Sequence, residues 1–169
     1  VVEIQERVDV NGKILLSLDI QQAKASLQKL YDKGFRAIAI VLMHSWRYPN
    51  HELELANLAN EIGFPQVSIS HQVSPFMKIV SRGDTTVVDA YLSPLLRRYV
   101  EQVSQGLSAK TPPQLMFMQS NGGLAEANSF QGKDSILSGP AGGIIGAIAT
   151  AERAGFKKII AFDMGGTST

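Results

Sequence analysis

Cysteine is absent from the 169 residues of the chain. This absence excludes a disulfide framework, a thiolate metal site and a cysteine nucleophile, and it is typical of a reducing compartment. Basic and acidic residues nearly balance, 16 against 15, so the formal net charge of +1 gives no basic surface for nucleic acid or an anionic membrane. The sequence also lacks an apolar run of membrane-spanning length and a signal-peptide start. We therefore expect a cytoplasmic protein with no nucleic-acid or membrane partner.

Several common catalytic motifs are missing too. Neither Gly-Lys-Ser nor Gly-Lys-Thr occurs, which excludes a Walker-type phosphate loop. Ser45 and Ser138 lack the Gly-x-Ser-x-Gly context of a hydrolase nucleophile, and His44, His51 and His71 lack the spacing of metal ligands. We interpret these histidines as helix-surface or strand-end residues. His44 is the most interesting of them, because it ends an apolar run and is a candidate for the edge of a ligand crevice.

The first half of the chain alternates between strand and helix patterns, which predicts an α/β fold with right-handed crossovers. Asn11-Gly12 is a strong turn sequence, Asp19 is placed to cap a helix and Gly34 to end it. The predicted elements are strands over 2–8, from Ile14, over 36–43 and over 67–70, with helices over 19–34 and 49–62.

A second α/β unit is predicted to begin near residue 84. Residues 85–106 have a helical pattern that Pro94 should kink, and residues 114–118 are strand-like. Asp84 is placed to cap this helix after an irregular connection. We therefore divide the chain into domains of residues 1–83 and 84–169.

Three polar, glycine-rich segments are the best candidates for chemistry, and they span residues 119–123, 138–143 and 163–167. Each follows an apolar run that we predict to be a strand; the runs are 114–118, 135–137 and 159–162. Ligands of open α/β sheets bind beyond the carboxyl ends of strands, so the three segments are expected to line one crevice. Simple chain turns are the alternative for any one of them.

The last segment has the features of a phosphate site. Gly165 and Gly166 let a ligand approach the backbone closely, and exposed N–H groups beside the hydroxyls of Thr167 and Ser168 suit phosphate oxygens. The carboxylate of Asp163 is a candidate ligand for Mg²⁺. An ordinary hairpin turn with polar residues is the alternative.

A dinucleotide site remains a further alternative. Residues 141–146 open an apparent helix after a strand-like run, and Asp163 follows at about the spacing of a ribose-binding acid. Pro140 in the tight turn and the glycines after Asp163 disfavour this Rossmann arrangement.

Five segments, in order and at suitable intervals, resemble the hydantoinase A/5-oxoprolinase family over nearly the whole chain. They are Leu137–Gly143 (LSGPAGG), Phe162–Thr169 (FDMGGTST), Val41–Ser45 (VLMHS), Thr86–Pro94 (TVVDAYLSP) and Met118–Leu124 (MQSNGGL). The resemblance implies ribonuclease-H-like lobe fragments of an actin-like ATPase, whose two lobes clamp magnesium-ATP. It also implies that residues 1–83 end an N-terminal lobe and that residues 84–169 start the hydantoinase A/oxoprolinase domain.

The resemblance also implies roles for individual residues. Residues 138–154 would form a helix that connects the lobes, with Gly142 and Gly143 at the nucleotide. Residues 163–167 would form the second phosphate loop, in which Asp163 acts on the metal or the attacking water. The phosphates would be bound by Gly165, Gly166, Thr167 and Ser168. Loop position, and not the resemblance, makes His44, Asn121, Gly122 and Gly123 the weaker candidates for substrate contact.

The reaction implied by the resemblance is the ATP- and Mg²⁺-dependent opening of a cyclic amide through phosphorylation of the amide oxygen. The segments Val41–Ser45, Ile79–Gly83 and Gly139–Gly143 favour 5-oxoproline, a substrate of glutathione metabolism. Hydantoin hydrolysis, acetone carboxylation and a non-catalytic nucleotide sensor are alternatives. A hydrolytic hydantoinase B-type subunit or fused domain and an oligomeric parent protein are expected.

The chain is expected to be an internal fragment. The family's first phosphate loop and adenosine-binding loop are missing from the sequence, and the chain ends within the second phosphate loop. We therefore expect the isolated chain to be catalytically silent.

Overall fold

A computed structural model describes residues 1–107 and 114–164. The chain divides into two compact units, Val1–Leu95 and Leu96–Thr169. Among the described residues, no helix is long and apolar enough to span a membrane.

The first unit contains the predicted alternation of strands and helices. Its elements are β1 (Arg7–Val8), β2 (Ile14–Leu16), α1 (Ile20–Asp32), β3 (Ala37–Ile40), α2 (Asn50–Ile62), β4 (Gln66–Ile69), α3 (Ser70–Val73) and the first part of α4 (Ile79–Gly106). Strands β1 and β2 form an antiparallel hairpin, and β3 pairs with β4 in parallel, with Ala37 opposite Gln66 and Ile40 opposite Ile69. The β-α-β order β3-α2-β4 is thus confirmed, whereas the strand predicted over 2–8 shortens to two residues.

Local capping explains where the first helices begin and end. The carboxylate of Asp19 accepts a hydrogen bond of 3.0 Å from the backbone N–H of Gln22, as the cap prediction required. Gly63 follows α2 with a φ of 104°, a left-handed conformation that side chains disfavour. The start of α1 and the end of α2 are therefore fixed by residues that the sequence identifies.

The core of the first unit lies between α1, α2 and the parallel strand pair. Tyr31 and Phe64 meet edge-on, with ring centroids 5.3 Å apart. The buried apolar residues are Leu18, Ala23, Leu27, Ile40, Leu55, Ala56, Leu58, Ala59, Phe64 and Ile69. This core fixes the edge of β3 and β4 at which both strands end.

Helix α4 begins earlier than predicted. Its first residue is Ile79, so the segment 79–83 is helical and not an irregular connection. Asp84 lies inside the helix, and its predicted role as the N-cap is wrong. The helix starts early because the buried side chain of Arg82 is anchored to the segments that precede it, a contact that local patterns do not reveal.

The second unit has fewer strands than predicted. Strands β5 (Met116–Met118) and β6 (Leu124–Glu126) form an antiparallel hairpin, two short 3₁₀ turns follow, and α5 covers Ser138–Arg153. The ring of Phe117 stacks on Phe130 with centroids 5.4 Å apart. The helix predicted over 138–154 is confirmed within one residue.

Two predicted strands of this unit are wrong. Residues 135–137 form a turn, and residues 159–162 lie outside any helix or strand. A strand needs a neighbour for its backbone N–H and C=O groups, and in the described part of this unit β5 and β6 pair only with each other.

Candidate functional site

The carboxylate of Asp163 lies against the N-terminal half of α5. A Cβ atom placed on Gly143 would lie 3.8 Å from Oδ2 of Asp163, so the missing side chain leaves the approach to this carboxylate open. A Cβ on neighbouring Gly142 would lie 3.5 Å from the side chain of Met118 in β5. Asp163 itself is exposed to solvent. The structure thus brings Asp163 and Met118, which belong to distant parts of the sequence, to the neighbouring glycines Gly143 and Gly142 of α5.

The β5–β6 turn meets the same helix. Gly122 has a φ of 82°, and a Cβ on it would lie 3.4 Å from Cδ1 of Ile145 in α5. The side chain of Asn121 accepts a hydrogen bond of 2.8 Å from the backbone N–H of Gly123. Residues 119–123 are therefore a hairpin turn and not the open end of a parallel strand, and Asn121 stabilises the turn itself.

Ser120 attaches this turn to the start of α5. Its hydroxyl and its backbone N–H both donate to the carbonyl of Asp134, each over 2.7 Å, and the hydroxyl accepts from the N–H of Leu137 over 3.1 Å. Sequence analysis did not single out Ser120, although it lies in a glycine-rich segment that the analysis identified.

A magnesium ion fits this arrangement as an ion held mainly by phosphates and water. Among the described residues, no three His, Cys, Asp or Glu side chains converge on one point. Asp163 offers a single exposed carboxylate, and Mg²⁺ sites commonly use one or two carboxylates with phosphate and water oxygens. The predicted phosphate ligands Gly165, Gly166, Thr167 and Ser168 lie outside the described residues.

The dinucleotide alternative is not supported by this geometry. Residues 141–146 lie inside α5, which begins at Ser138 and follows a turn. A Rossmann fingerprint requires a strand that leads into a glycine-rich turn before the helix.

His44 belongs to the first unit and lies in the loop after β3. It is half-buried, and its carbonyl accepts hydrogen bonds from the N–H groups of Arg47 over 3.1 Å and Tyr48 over 2.9 Å. Its neighbour Ser45 is buried and donates to the carbonyl of Leu42 over 2.8 Å. His44 therefore lies in the turn that follows β3, which ends at Ile40, whereas the sequence predicted a strand that continues to Met43.

A buried arginine is the main feature that sequence analysis missed in this unit. Arg82 has no exposed surface, and each N–H of its guanidinium has an acceptor. The acceptors are Ser70 Oγ at 2.8 Å, the carbonyl oxygens of Phe76 at 2.7 Å, Met77 at 3.1 Å and Met43 at 3.1 Å, and the carbonyl of Leu42. The guanidinium therefore joins the ends of β3 and β4 to the start of α4.

Glu52 of α2 completes the network and is also fully buried. Its carboxylate accepts from Leu42 N at 3.0 Å, Ser70 Oγ at 2.6 Å, His71 N at 3.1 Å and His71 Nδ1 at 2.8 Å. Burial lowers the pKa of Arg82, and the negative charge of Glu52 opposes that shift. A sequence signal for Glu52 existed, since it lies three and four residues before the buried Leu55 and Ala56.

The side chains of the other two histidines, His51 and His71, each lie against a glutamate carboxylate. His51 is buried and its Nδ1 lies 2.7 Å from the carboxylate of Glu6, while His71 binds Glu52. The interpretation of His51 as a helix-surface residue is therefore wrong, because it packs on the buried side of α2.

These features define an α/β protein with a carboxylate and glycines gathered on one helix and a buried polar network at a parallel strand edge. A family model described as Hydantoinase/oxoprolinase matches residues 82–169, and one described as Hydantoinase/oxoprolinase N-terminal region matches residues 1–63. The chain belongs to the hydantoinase/oxoprolinase family. The predicted family is confirmed.

A curated relative and two solved structures extend the comparison. A 5-oxoprolinase of Saccharomyces cerevisiae is 43% identical over 158 residues, which cover 93% of this chain and 12% of the relative. An ATP-dependent caprolactamase from Pseudomonas jessenii superposes with a TM-score of 0.81 at 31% identity, over 96% of this chain and 24% of that one. Nucleotide-free acetone carboxylase, from work on ATP-dependent acetone carboxylation, gives a TM-score of 0.80 at 26% identity, over 91% of this chain and 22% of that one.

The likeness to these structures confirms the predicted α/β class, and it agrees with part of an actin-like ATPase lobe. The chain spans only about 12% of the length of the yeast relative. What the whole protein does is therefore a matter for proposal.

Proposed function

We propose that the chain is part of an ATP-dependent enzyme that opens a cyclic amide, with 5-oxoproline as the substrate. The observation that supports this most is the carboxylate of Asp163 beside Gly143 of α5, in a chain 43% identical to a protein named 5-oxoprolinase. The two solved relatives are described as ATP-dependent, which supports ATP as the co-substrate.

The chemistry requires activation of a poor electrophile. The amide oxygen of 5-oxoproline attacks the γ-phosphorus of ATP, the bond to the bridging oxygen of ADP breaks, and the amide carbon becomes bound to a phosphate leaving group. Water then adds to that carbon and the carbon–nitrogen bond breaks, which gives an open-chain acyl phosphate. A second water attacks the same carbon, and phosphate leaves with the former amide oxygen to give glutamate. Each turnover consumes two waters and one ATP and releases glutamate, ADP and phosphate.

Asp163 is the residue that we place in the reacting centre. Its carboxylate would hold Mg²⁺ or orient the attacking water, and the ion would supply charge neutralisation for the phosphates. Gly143 would leave room for the nucleotide beside Asp163, because it has no side chain. Gly142 packs on Met118 and would contact the nucleotide through its backbone. Gly165, Gly166, Thr167 and Ser168 would donate hydrogen bonds to the phosphates.

The substrate side is proposed from loop position. His44 lies at the end of a parallel strand, where ligands of α/β proteins bind. Asn121, Gly122 and Gly123 form a turn held on α5, and their remaining backbone groups would face the cyclic amide. The residue division 1–83 and 84–169 is retained as the proposed domain organisation.

The setting of the enzyme is proposed as well. We assign it to the cytoplasm and to glutathione metabolism, and we propose a hydantoinase B-type subunit or fused domain and an oligomeric parent protein. The acetophenone carboxylase gamma subunit of Aromatoleum aromaticum, 30% identical over 172 residues, is by its name one subunit of several and supports a partner. Since the chain spans about 12% of the yeast relative, we propose that the isolated chain does not turn over ATP.

A second substrate class is favoured by one observation. The two solved relatives are a caprolactamase and an acetone carboxylase, whose names refer to caprolactam and acetone and not to 5-oxoproline. Hydantoin, caprolactam or acetone would then replace 5-oxoproline while ATP activation remains. A nucleotide sensor that consumes no cyclic amide is the remaining candidate.

The test measures ADP release from magnesium-ATP by the complete protein with its partner, with 5-oxoproline, a hydantoin, caprolactam or no addition. We expect stimulation by 5-oxoproline, and Asp163→Asn should lower it by about 10²- to 10⁴-fold. Asp84→Asn, which changes an exposed aspartate of α4, is the matched control and should leave turnover unchanged. ATP turnover without stimulation by any cyclic amide would favour the sensor.

A further inference from the structure

The loop of residues 41–48, which contains His44, is held by the polar side chains of Arg82, Glu52, Ser70 and Ser45. We propose that Arg82 and Ser45 are positioning residues, which hold His44 in the geometry that the cyclic amide requires. This inference rests on the proposed function, and it assigns to that function two residues with no expected role in it.

Arg82 is built to hold backbone and not to bind a ligand. All five of its N–H donors are already used within the chain, and four of the five acceptors are carbonyl oxygens of two separate segments. A guanidinium with no donor left and no exposed surface offers nothing to a substrate. Its effect is to fix where Leu42 and Met43 lie relative to Phe76 and Met77.

His44 lies between two of the anchored residues. On one side, the carbonyl of Met43 accepts from Arg82 Nη2 over 3.1 Å. On the other, Ser45 Oγ donates to the carbonyl of Leu42 and lies 3.2 Å from Ser70 Oγ. The backbone on both sides of His44 is therefore tied to the same network.

The position of the network in the fold points to function. Leu42 follows β3 and Ser70 follows β4, so both lie at the carboxyl ends of a parallel pair, the edge where α/β proteins bind ligands. Well-packed apolar side chains usually stabilise a core as much as a buried charged group does. The burial of Arg82 is therefore weak evidence that its role is stability alone. Arg82 holds the backbone next to His44 at this edge, which favours a role in positioning the His44 side chain.

The test compares two serines in the complete protein. Ser45 and Ser68 are both buried, but Ser68 donates to the carboxylate of Asp89 over 2.7 Å and accepts from the side chain of Gln66 over 2.8 Å. Ser45→Ala should raise the KM for 5-oxoproline about fivefold, the equivalent of one hydrogen bond, and leave the KM for ATP unchanged. Ser68→Ala is the matched control and should leave both values unchanged.

Two further variants extend the comparison. Arg82→Lys supplies three donors in place of five and should raise the KM for 5-oxoproline by about tenfold or more, whereas Arg97→Lys on the exposed side of α4 should not. In a His44→Ala background, Ser45→Ala should have no further effect, because residues that act through one another are not additive.

The outcomes separate this inference from the proposed function. Equal changes in KM for Ser45→Ala and Ser68→Ala would overturn the inference while 5-oxoproline turnover still stands. The inference would also be overturned if Ser45→Ala raised the KM for 5-oxoproline as much in the His44→Ala background as in the wild type. If no cyclic amide stimulates the wild type, the proposed function fails first, and the inference fails with it.

Discussion

Replacing Glu52 by glutamine tests the buried network most sharply. The carboxylate accepts four hydrogen bonds, two on each oxygen, from Leu42, Ser70 and His71. A glutamine amide keeps one acceptor oxygen, but its NH₂ group has no lone pair to offer to the two donors on the other side. At least two charge-assisted hydrogen bonds are lost, each of about 1.5–3 kcal/mol.

The second cost is electrostatic. Arg82 remains charged at neutral pH, and without Glu52 its buried charge has lost the negative group that opposes its desolvation. Removal of one partner from a buried charged pair typically costs about 3–5 kcal/mol. Because both costs arise from removal of the same negative charge, we expect about 3–5 kcal/mol in total and do not add them.

Hydrogen exchange of the complete protein measures this loss locally. The amides of Leu42 and His71 donate directly to Glu52, so they report on the network. Glu52→Gln should speed their exchange by about a hundredfold to several thousandfold, since each 1.4 kcal/mol is a factor of ten. Glu54→Gln, an exposed change on the same helix, should alter the free energy by less than about 0.5 kcal/mol. Equal exchange in the two variants would refute the reasoning.

Two glycine substitutions test the second unit, with the midpoint of thermal unfolding as the measurement. Gly122→Ala should destabilise the second unit by about 1–2 kcal/mol, because φ is 82° at this position and a new Cβ would press on Ile145. An unchanged midpoint would contradict the turn geometry. Gly146→Ala should instead stabilise α5 by up to about 1 kcal/mol, because among the described residues no atom outside the local backbone of α5 lies within 4 Å of the new methyl group. A lower midpoint would show that this face of α5 is covered in the complete protein.

The sequence predicted the features that local chemistry decides. The cap at Asp19, the turn at Asn11-Gly12 and the β3-α2-β4 order all follow from residues within a few positions of one another. Each of them was found in the structure. The family, too, was recognisable from short segments that occur in order.

Contacts between distant segments could not be predicted in the same way. Arg82 binds carbonyl oxygens about forty residues earlier in the chain, and carbonyl oxygens have no sequence signature. The apolar run over 159–162 resembles a strand, but without a neighbouring strand in the described residues its pattern alone does not form one. The approach of Asp163 to Gly143 likewise depends on the turn after α5, where Gly155 has a φ of 80°.

The most direct test of the central claim follows the amide oxygen. The complete protein would be given magnesium-ATP and 5-oxoproline that is labelled with ¹⁸O at the ring carbonyl, and the released phosphate and glutamate would be analysed by mass spectrometry. Activation by phosphorylation of the amide oxygen predicts one ¹⁸O atom in each phosphate released and none of that atom in glutamate. Phosphate free of the label, with the ¹⁸O retained in glutamate, would contradict the account.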